Sequence, residues 1–164
     1  MVNAHYRRLI ALGREDFLAA TAPAVLVRIR GATPGPRSAR QSTEDETLSH
    51  GNMPTSAVLE TEILPLAKKP GASFPDRITI GRTTHNDVVV DDHSISRLHA
   101  YIAHTGGRQW VVADAGSKNG SWLRGVALEA RREQPIASRM VLRLGDVELT
   151  FYDAADLYAE LGGE

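Results

Sequence analysis

Three short stretches of this chain carry the residue types that could hold an anion. They are Gly81-Arg82 at the end of an apolar run, Ser94-Ile95-Ser96-Arg97-Leu98-His99, and Gly116-Ser117-Lys118-Asn119-Gly120-Ser121. A guanidinium placed just after a strand offers forked donors to phosphate or carboxylate. The hydroxyls of Ser94 and Ser96 suit phosphate oxygens, and Arg97 adds a second cation. Gly116 and Gly120 permit positive φ, and Asn119 can hydrogen-bond a neighbouring backbone or that of a bound peptide. Each stretch also has a plainer reading. Arg82 could pair with an acid such as Asp87, the serines could hold turns, and His99 could be a structural side chain at a strand start.

Nucleophilic or metal chemistry needs other patterns. Asp91, Asp92, His93 and His99 would have to converge as ligands, or Ser96 and His99 would have to pair as nucleophile and base. Neither arrangement matches a helix-borne metal motif or a nucleophile elbow, and an extended backbone turns residue 92 away from 91 and 93. Catalysis is therefore not expected, and neither is a metal or cofactor.

The elements that must position these loops are short strands. Runs at 57–66, 77–81, 87–90, 98–104, 109–113, 121–123, 126–129, 139–144 and 147–152 are separated by turns at Lys69-Pro70-Gly71, Thr83 to Asn86, Gly106-Gly107, Arg124-Gly125 and Gly145-Asp146. With the alternating run Ala24 to Arg30, these predict an all-β fold, an antiparallel β-sandwich of about ten or eleven short strands. Asn3 to Ala20 has helical spacing interrupted by Gly13, which predicts a short N-terminal helical extension of one or two helices. A closing helix is expected over 153–161. The expected division is an extension over 1–30, a Gly/Pro/Ser/Thr-rich and acidic linker over 31–55, the sandwich over 56–153, and a C-terminal helix and tail over 154–164. Loops at one end of a sandwich lie close together, so those at 82–87, 91–97 and 114–120 can share a site.

Charge and composition narrow the partner. The chain of 164 residues holds 19 Lys+Arg against 20 Asp+Glu, which does not describe a general nucleic-acid binder. Arg131-Arg132 is a short basic step without interleaved aromatics, as expected of a solvated face. With no cysteine there are no disulfides or thiolate metal sites, and a reducing cytoplasmic setting is expected. No apolar run approaches the length of a membrane span or signal sequence.

Taken together and in order, Gly81-Arg82, Asn86-Asp87 with Val88-Val89-Val90, Asp91-Asp92, Ser96-Arg97-Leu98-His99, Gly116 to Gly120 and Leu144-Gly145-Asp146 strongly resemble the forkhead-associated (FHA) domain. The resemblance runs from about residue 57 to 152. It implies a β-sandwich whose loops read phosphothreonine peptides in Ser/Thr kinase signalling. It also implies that Arg82 and Ser96 bind the phosphate, that Arg97 and Lys118 help from flanking loops, and that Asn119 bonds the peptide backbone. Gly81, His99, Gly116 and Gly120 would be architectural. One departure is Arg124-Gly125, where the family often has Asn-Gly.

The competing reading is a scaffold of the same fold that binds an unmodified surface. Within the linker, Ser42-Thr43-Glu44-Asp45-Glu46-Thr47 marks Thr43 and Thr47 as candidate kinase sites that could fold back into the domain's own loops.

Overall fold

The computed structural model describes residues 4–30, 60–71, 74–105 and 109–162. The linker with Thr43 and Thr47, and the expected turn at Gly106-Gly107, lie outside them.

Eleven strands are formed by the described residues: β1 (Ala24–Arg30), β2 (Glu60–Pro65), β3 (Ile78–Gly81), β4 (Val88–Val89), β5 (Ala100–Thr105), β6 (Gln109–Asp114), β7 (Ser121–Leu123), β8 (Val126–Ala127), β9 (Gln134–Ile136), β10 (Val141–Leu144) and β11 (Val147–Asp153). A six-stranded sheet has the order β2-β1-β11-β10-β7-β8, and a five-stranded sheet has the order β4-β3-β5-β6-β9. The expected antiparallel sandwich is present, with one exception: β3 and β4 run parallel, Ile80 opposite Val88 and Gly81 opposite Val89. That parallel step brings the chain back past the end of β3 and places the following loop beside Arg82.

The pleat of each strand sorts its residues. In β11, Val147, Leu149 and Phe151 turn inward and are buried, while Glu148 is exposed between them. They meet Leu142 and Leu144 of β10 and, across the sandwich, Ile80, Ile102 and Val112, in one apolar core. The β7–β8 hairpin turns through Arg124 at φ 54° and Gly125 at φ 82°. Positive φ at both central residues gives the twist a two-residue hairpin needs, so arginine serves where Asn-Gly is common.

The N-terminal segment departs from expectation. β1 is not an appendage: it lies between β2 and β11, with Leu26 opposite both Leu64 and Phe151. The boundary of the sandwich therefore includes residues well before 56. Both faces of β1 are covered over its first residues. Ala24 and Leu26 join the core between the sheets, whereas Val25 packs under the helices. Those helices are α1 (Ala4–Leu12) and α2 (Arg14–Ala20), broken at Gly13 with φ 105°, and α3 (Ala154–Glu160). Phe17 is fully buried against Tyr158, with ring centroids 5.1 Å apart. Burial of such a ring contributes roughly 1.5–3 kcal/mol, enough to fix the helices on the outer face of the sheet. Asp153 caps α3 by accepting from the Asp156 amide at 2.8 Å.

Candidate functional site

The site is made by three loops at one end of the sandwich, and its geometry begins at Gly81. The Gly81 carbonyl accepts from Val90 N at 2.9 Å, and Arg82 N donates to the Ser96 carbonyl at 3.0 Å. A Cβ at residue 81 would sit 2.1 Å from the Arg97 carbonyl oxygen and 2.6 Å from Asn86 Nδ2. Only glycine allows the strand end and the 91–97 loop to approach this closely. Asn86, nearly fully buried, closes the same junction by donating Nδ2 to the Arg97 carbonyl at 2.6 Å and the Thr83 carbonyl at 3.0 Å.

Asp87 does not pair with Arg82. Its carboxylate accepts from Lys68 Nζ at 2.7 Å, Lys69 N at 2.8 Å and Thr79 N at 2.9 Å. Burial pushes its carboxyl up, but these donors outweigh that and hold it below the usual carboxylate range. Arg82 is left exposed, and among the described residues no acid pairs with it.

His99 joins the second loop to the third. The Ser96 amide donates to His99 Nδ1 at 3.0 Å, and His99 Nε2 lies 2.9 Å from the Gly120 carbonyl oxygen. A carbonyl only accepts, so Nε2 carries the hydrogen and the ring is the neutral tautomer. The ring is fully buried, and that burial pushes its pKa down, against the Gly120 hydrogen bond and the Asp114 charge. His99 is thus a strut. It faces the Ser96 backbone, not its hydroxyl, and the nucleophile pair weighed above does not form.

Asp114 organises the third loop. It accepts from the hydroxyls of Ser117 and Ser121, both at 2.5 Å, and from the amides of Gly116 and Ser117, both at 2.9 Å. Its burial favours the neutral acid, yet the four donors reverse that and keep the carboxyl low. Gly116 and Gly120 bracket the loop at φ 91° and 87°. Lys118 N then donates to Ser96 Oγ at 3.0 Å, and Asn119 Nδ2 to the Ser94 carbonyl at 2.9 Å.

The result is an open cleft of about 660 Å³ lined by Arg82, Ser96, Arg97, Lys118 and Asn119, the five side chains singled out from the sequence. Among the described residues, no carboxylate pairs with Arg82, Arg97 or Lys118. Some arginines elsewhere on the surface are paired with acids: Arg77 with Asp76, Arg132 with Glu129 and Arg139 with Glu160. Unpaired cations gathered round a hydroxyl form a site suited to a dianion.

Two sequence expectations change in detail. Ser94 is buried and turned inward, donating its hydroxyl to Asp92 at 2.8 Å and accepting from Asp146 N at 2.9 Å, so Ser96 is the serine at the cleft. Asn119 spends one amide hydrogen on the Ser94 carbonyl, leaving the second hydrogen and Oδ1 for a ligand. Asp92, read as a possible metal ligand, pairs with Arg28 and Ser94, and no group of three or more metal-ligating side chains gathers among the described residues. Sequence reasoning missed the scaffold acids Asp87, Asp92 and Asp114 as loop organisers, and Arg28 and Lys68 altogether. Among the described residues no helix is long and apolar enough to cross a membrane.

Comparison with known proteins places this geometry in context. The model of the FHA domain family matches residues 78–145. The ABC transporter ATP-binding/permease protein Rv1747 of Mycobacterium tuberculosis is 32% identical over 123 residues, 74% of this chain, and the chain spans 13% of that protein. Among solved structures, the FHA domain of CT664 protein from Chlamydia trachomatis is similar with a TM-score of 0.50 and 21% identity, covering 79% of this chain and 97% of that one. EmbR of Mycobacterium tuberculosis, solved in complex with a low affinity phosphopeptide, is 30% identical with a TM-score of 0.44, over 49% of this chain and 20% of that one.

Proposed function

Residues 78–145 of this chain belong to the FHA domain family, and on that premise we propose that the loop cleft binds phosphothreonine peptides as a non-catalytic adaptor downstream of a Ser/Thr kinase. The observation that carries the reading is the set of cations, Arg82, Arg97 and Lys118, gathered around Ser96 with no acid paired to them among the described residues. In this reading Arg82 and Ser96 hold the phosphate, Arg97 and Lys118 approach it from the flanks, and Asn119 bonds the peptide backbone. Gly81, His99, Gly116 and Gly120 keep the loops in register.

The energetics favour a phosphorylated ligand. Phosphothreonine brings about −1.5 to −2 charges and three strong acceptors. Two or three charge-assisted hydrogen bonds at roughly 1.5–3 kcal/mol each supply a large share of the ~8 kcal/mol of a micromolar complex. An unmodified threonine makes none of them. A cytoplasmic setting, where kinases act, belongs to this reading and agrees with the absence of cysteine.

Fluorescence anisotropy with degenerate peptide pools tests it. The wild-type protein is expected to bind the phosphothreonine pool and to leave unmodified and phosphoserine pools largely free. Equal binding to all pools favours a phosphate-independent scaffold on the same fold and overturns the proposal.

A further inference from the structure

The strand β1 lies outside the residues matched to the FHA family, yet one of its side chains reaches the phosphate loop. Arg28 shares the inward face of β1 with Ala24 and Leu26, both fully buried. Its side chain is only 17% exposed, with Nη1 buried and without a hydrogen-bond partner and Nη2 at 3.4 Å from Asp92 Oδ2. A guanidinium drawn this far out of water needs an anion, and among the described residues Asp92 lies within ion-pair reach of it.

Asp92 in turn shapes the loop. Its Oδ1 accepts from Ser94 N at 2.9 Å and Ser94 Oγ at 2.8 Å, and its carbonyl accepts from Ile95 N at 3.0 Å. Ser94 passes the constraint on, through its carbonyl to Asn119 and its hydroxyl to the Asp146 amide. The two residues after Ile95 are Ser96 and Arg97. From Arg28 through Asp92 and Ser94 to Asn119 each link is an ion pair or hydrogen bond between named atoms, and the backbone carries the constraint on to Ser96 and Arg97.

We infer that Arg28 is a positioning residue for the phosphate site: by holding Asp92 it fixes the 91–97 loop in the shape that presents Ser96 and Arg97. This rests on the phosphopeptide-binding reading. Arg28 acts here through Asp92. The inference gives the N-terminal strand a share in recognition, and the residues matched to the family are not by themselves the complete binding unit.

The full chain tests this with Arg28→Met, which keeps the side chain's bulk without its charge, and Asp92→Asn, which alters the other partner on the surface loop. Ile29→Ala, on the half-exposed opposite face of the same strand, controls for weakening of the sheet. Affinity for the degenerate phosphothreonine pool is expected to fall about tenfold in Arg28→Met and in Asp92→Asn, with the double variant no weaker than either. Arg28→Lys should recover part of the loss, and Ile29→Ala should bind as wild type does. Hydrogen exchange at the Ser94 to Ser96 amides should quicken in Arg28→Met while the β5–β6 amides stay protected. Wild-type affinity in both Arg28→Met and Asp92→Asn overturns the inference, as does additive loss in the double variant. If Arg28→Met does not fold, Asp92→Asn decides alone, by its affinity and exchange. If the wild-type protein binds no pool, the functional reading fails, and exchange at 94–96 still decides whether Arg28 holds the loop.

Discussion

Replacing Gly81 with alanine tests the junction on which the site is built. The added methyl carbon would lie 2.1 Å from the Arg97 carbonyl oxygen, 2.6 Å from Asn86 Nδ2 and 2.8 Å from the Arg97 carbonyl carbon. Two of these are backbone atoms, which no rotamer change can move. Ordinary contact requires β3 and the 91–97 loop to separate by about 1.4 Å, since packing distances are roughly 3.5 Å. That displacement breaks two hydrogen bonds, Arg82 N to the Ser96 carbonyl at 3.0 Å and Asn86 Nδ2 to the Arg97 carbonyl at 2.6 Å. At about 0.5–1.5 kcal/mol net each, with residual strain added, the expected destabilisation is ~2–4 kcal/mol. Binding suffers as well, because Arg82 and Ser96 no longer converge on one phosphate. Loss of one charge-assisted bond of about 1.5–3 kcal/mol weakens binding roughly 10- to 150-fold. Urea unfolding gives the first number and anisotropy with a phosphothreonine pool gives the second. A Gly81→Ala protein with the unfolding midpoint and affinity of wild type would refute the close approach drawn at this position.

Further expectations concern the buried polar struts. Asp114→Asn replaces a two-oxygen acceptor of four hydrogen bonds by an amide with one oxygen. Stranding two buried donors costs about 2–5 kcal/mol in urea unfolding, and an unchanged midpoint would remove Asp114 from its organising role. His99 has a pKa pushed down by burial, so the unfolded chain takes up its proton first as pH falls. The stability from the neutral ring is complete above about pH 6.5 and is lost as pH drops through the depressed folded value. The urea midpoint of the peptide-free protein should therefore decline below about pH 6.5, and less steeply in His99→Gln. Equal slopes in both proteins would contradict the strut assignment. Asp87 and Asp114, held low in the fold, add stability present above the unfolded carboxylate value of about 3.9 and lost as pH falls through their lowered values. The histidine window thus opens at about pH 6.5 and the carboxylate window at about pH 3.9.

Much of this was written in the chain's patterning. The alternation of Val147, Leu149 and Phe151 and the turn residues between runs were enough to foresee a sandwich, and three separated motifs placed the five cleft residues together. Pairing was harder to read. β9 was missed because Pro135 breaks a strand pattern, yet β9 is an edge strand, where a missing N–H is tolerated. The parallel β3–β4 step leaves no local mark at all. In β1 the alternation of Val25, Val27 and Ile29 with Arg28 puts the arginine on the face opposite the valines, yet Arg28 is the more buried and Ile29 the more exposed. The scaffold of the site was least legible, since its acids sit in polar loops and their partners are remote: Asp87 bonds Lys68, Asn86 reaches Arg97, and Arg28 meets Asp92 from 64 residues away. A buried aspartate has no sequence signature apart from its partners.

The most direct test of the phosphate site is the affinity of Arg82→Ala for the phosphothreonine pool, measured beside its urea midpoint. Arg82 is exposed and makes no ion pair among the described residues, so its removal should leave the midpoint within about 0.5 kcal/mol of wild type. Binding of the phosphorylated pool should fall by roughly 2–5 kcal/mol, to near the level of the unmodified pool. An Arg82→Ala protein that still binds phosphothreonine peptide as wild type does would contradict the account, and the anion site would have to be sought elsewhere on the molecule.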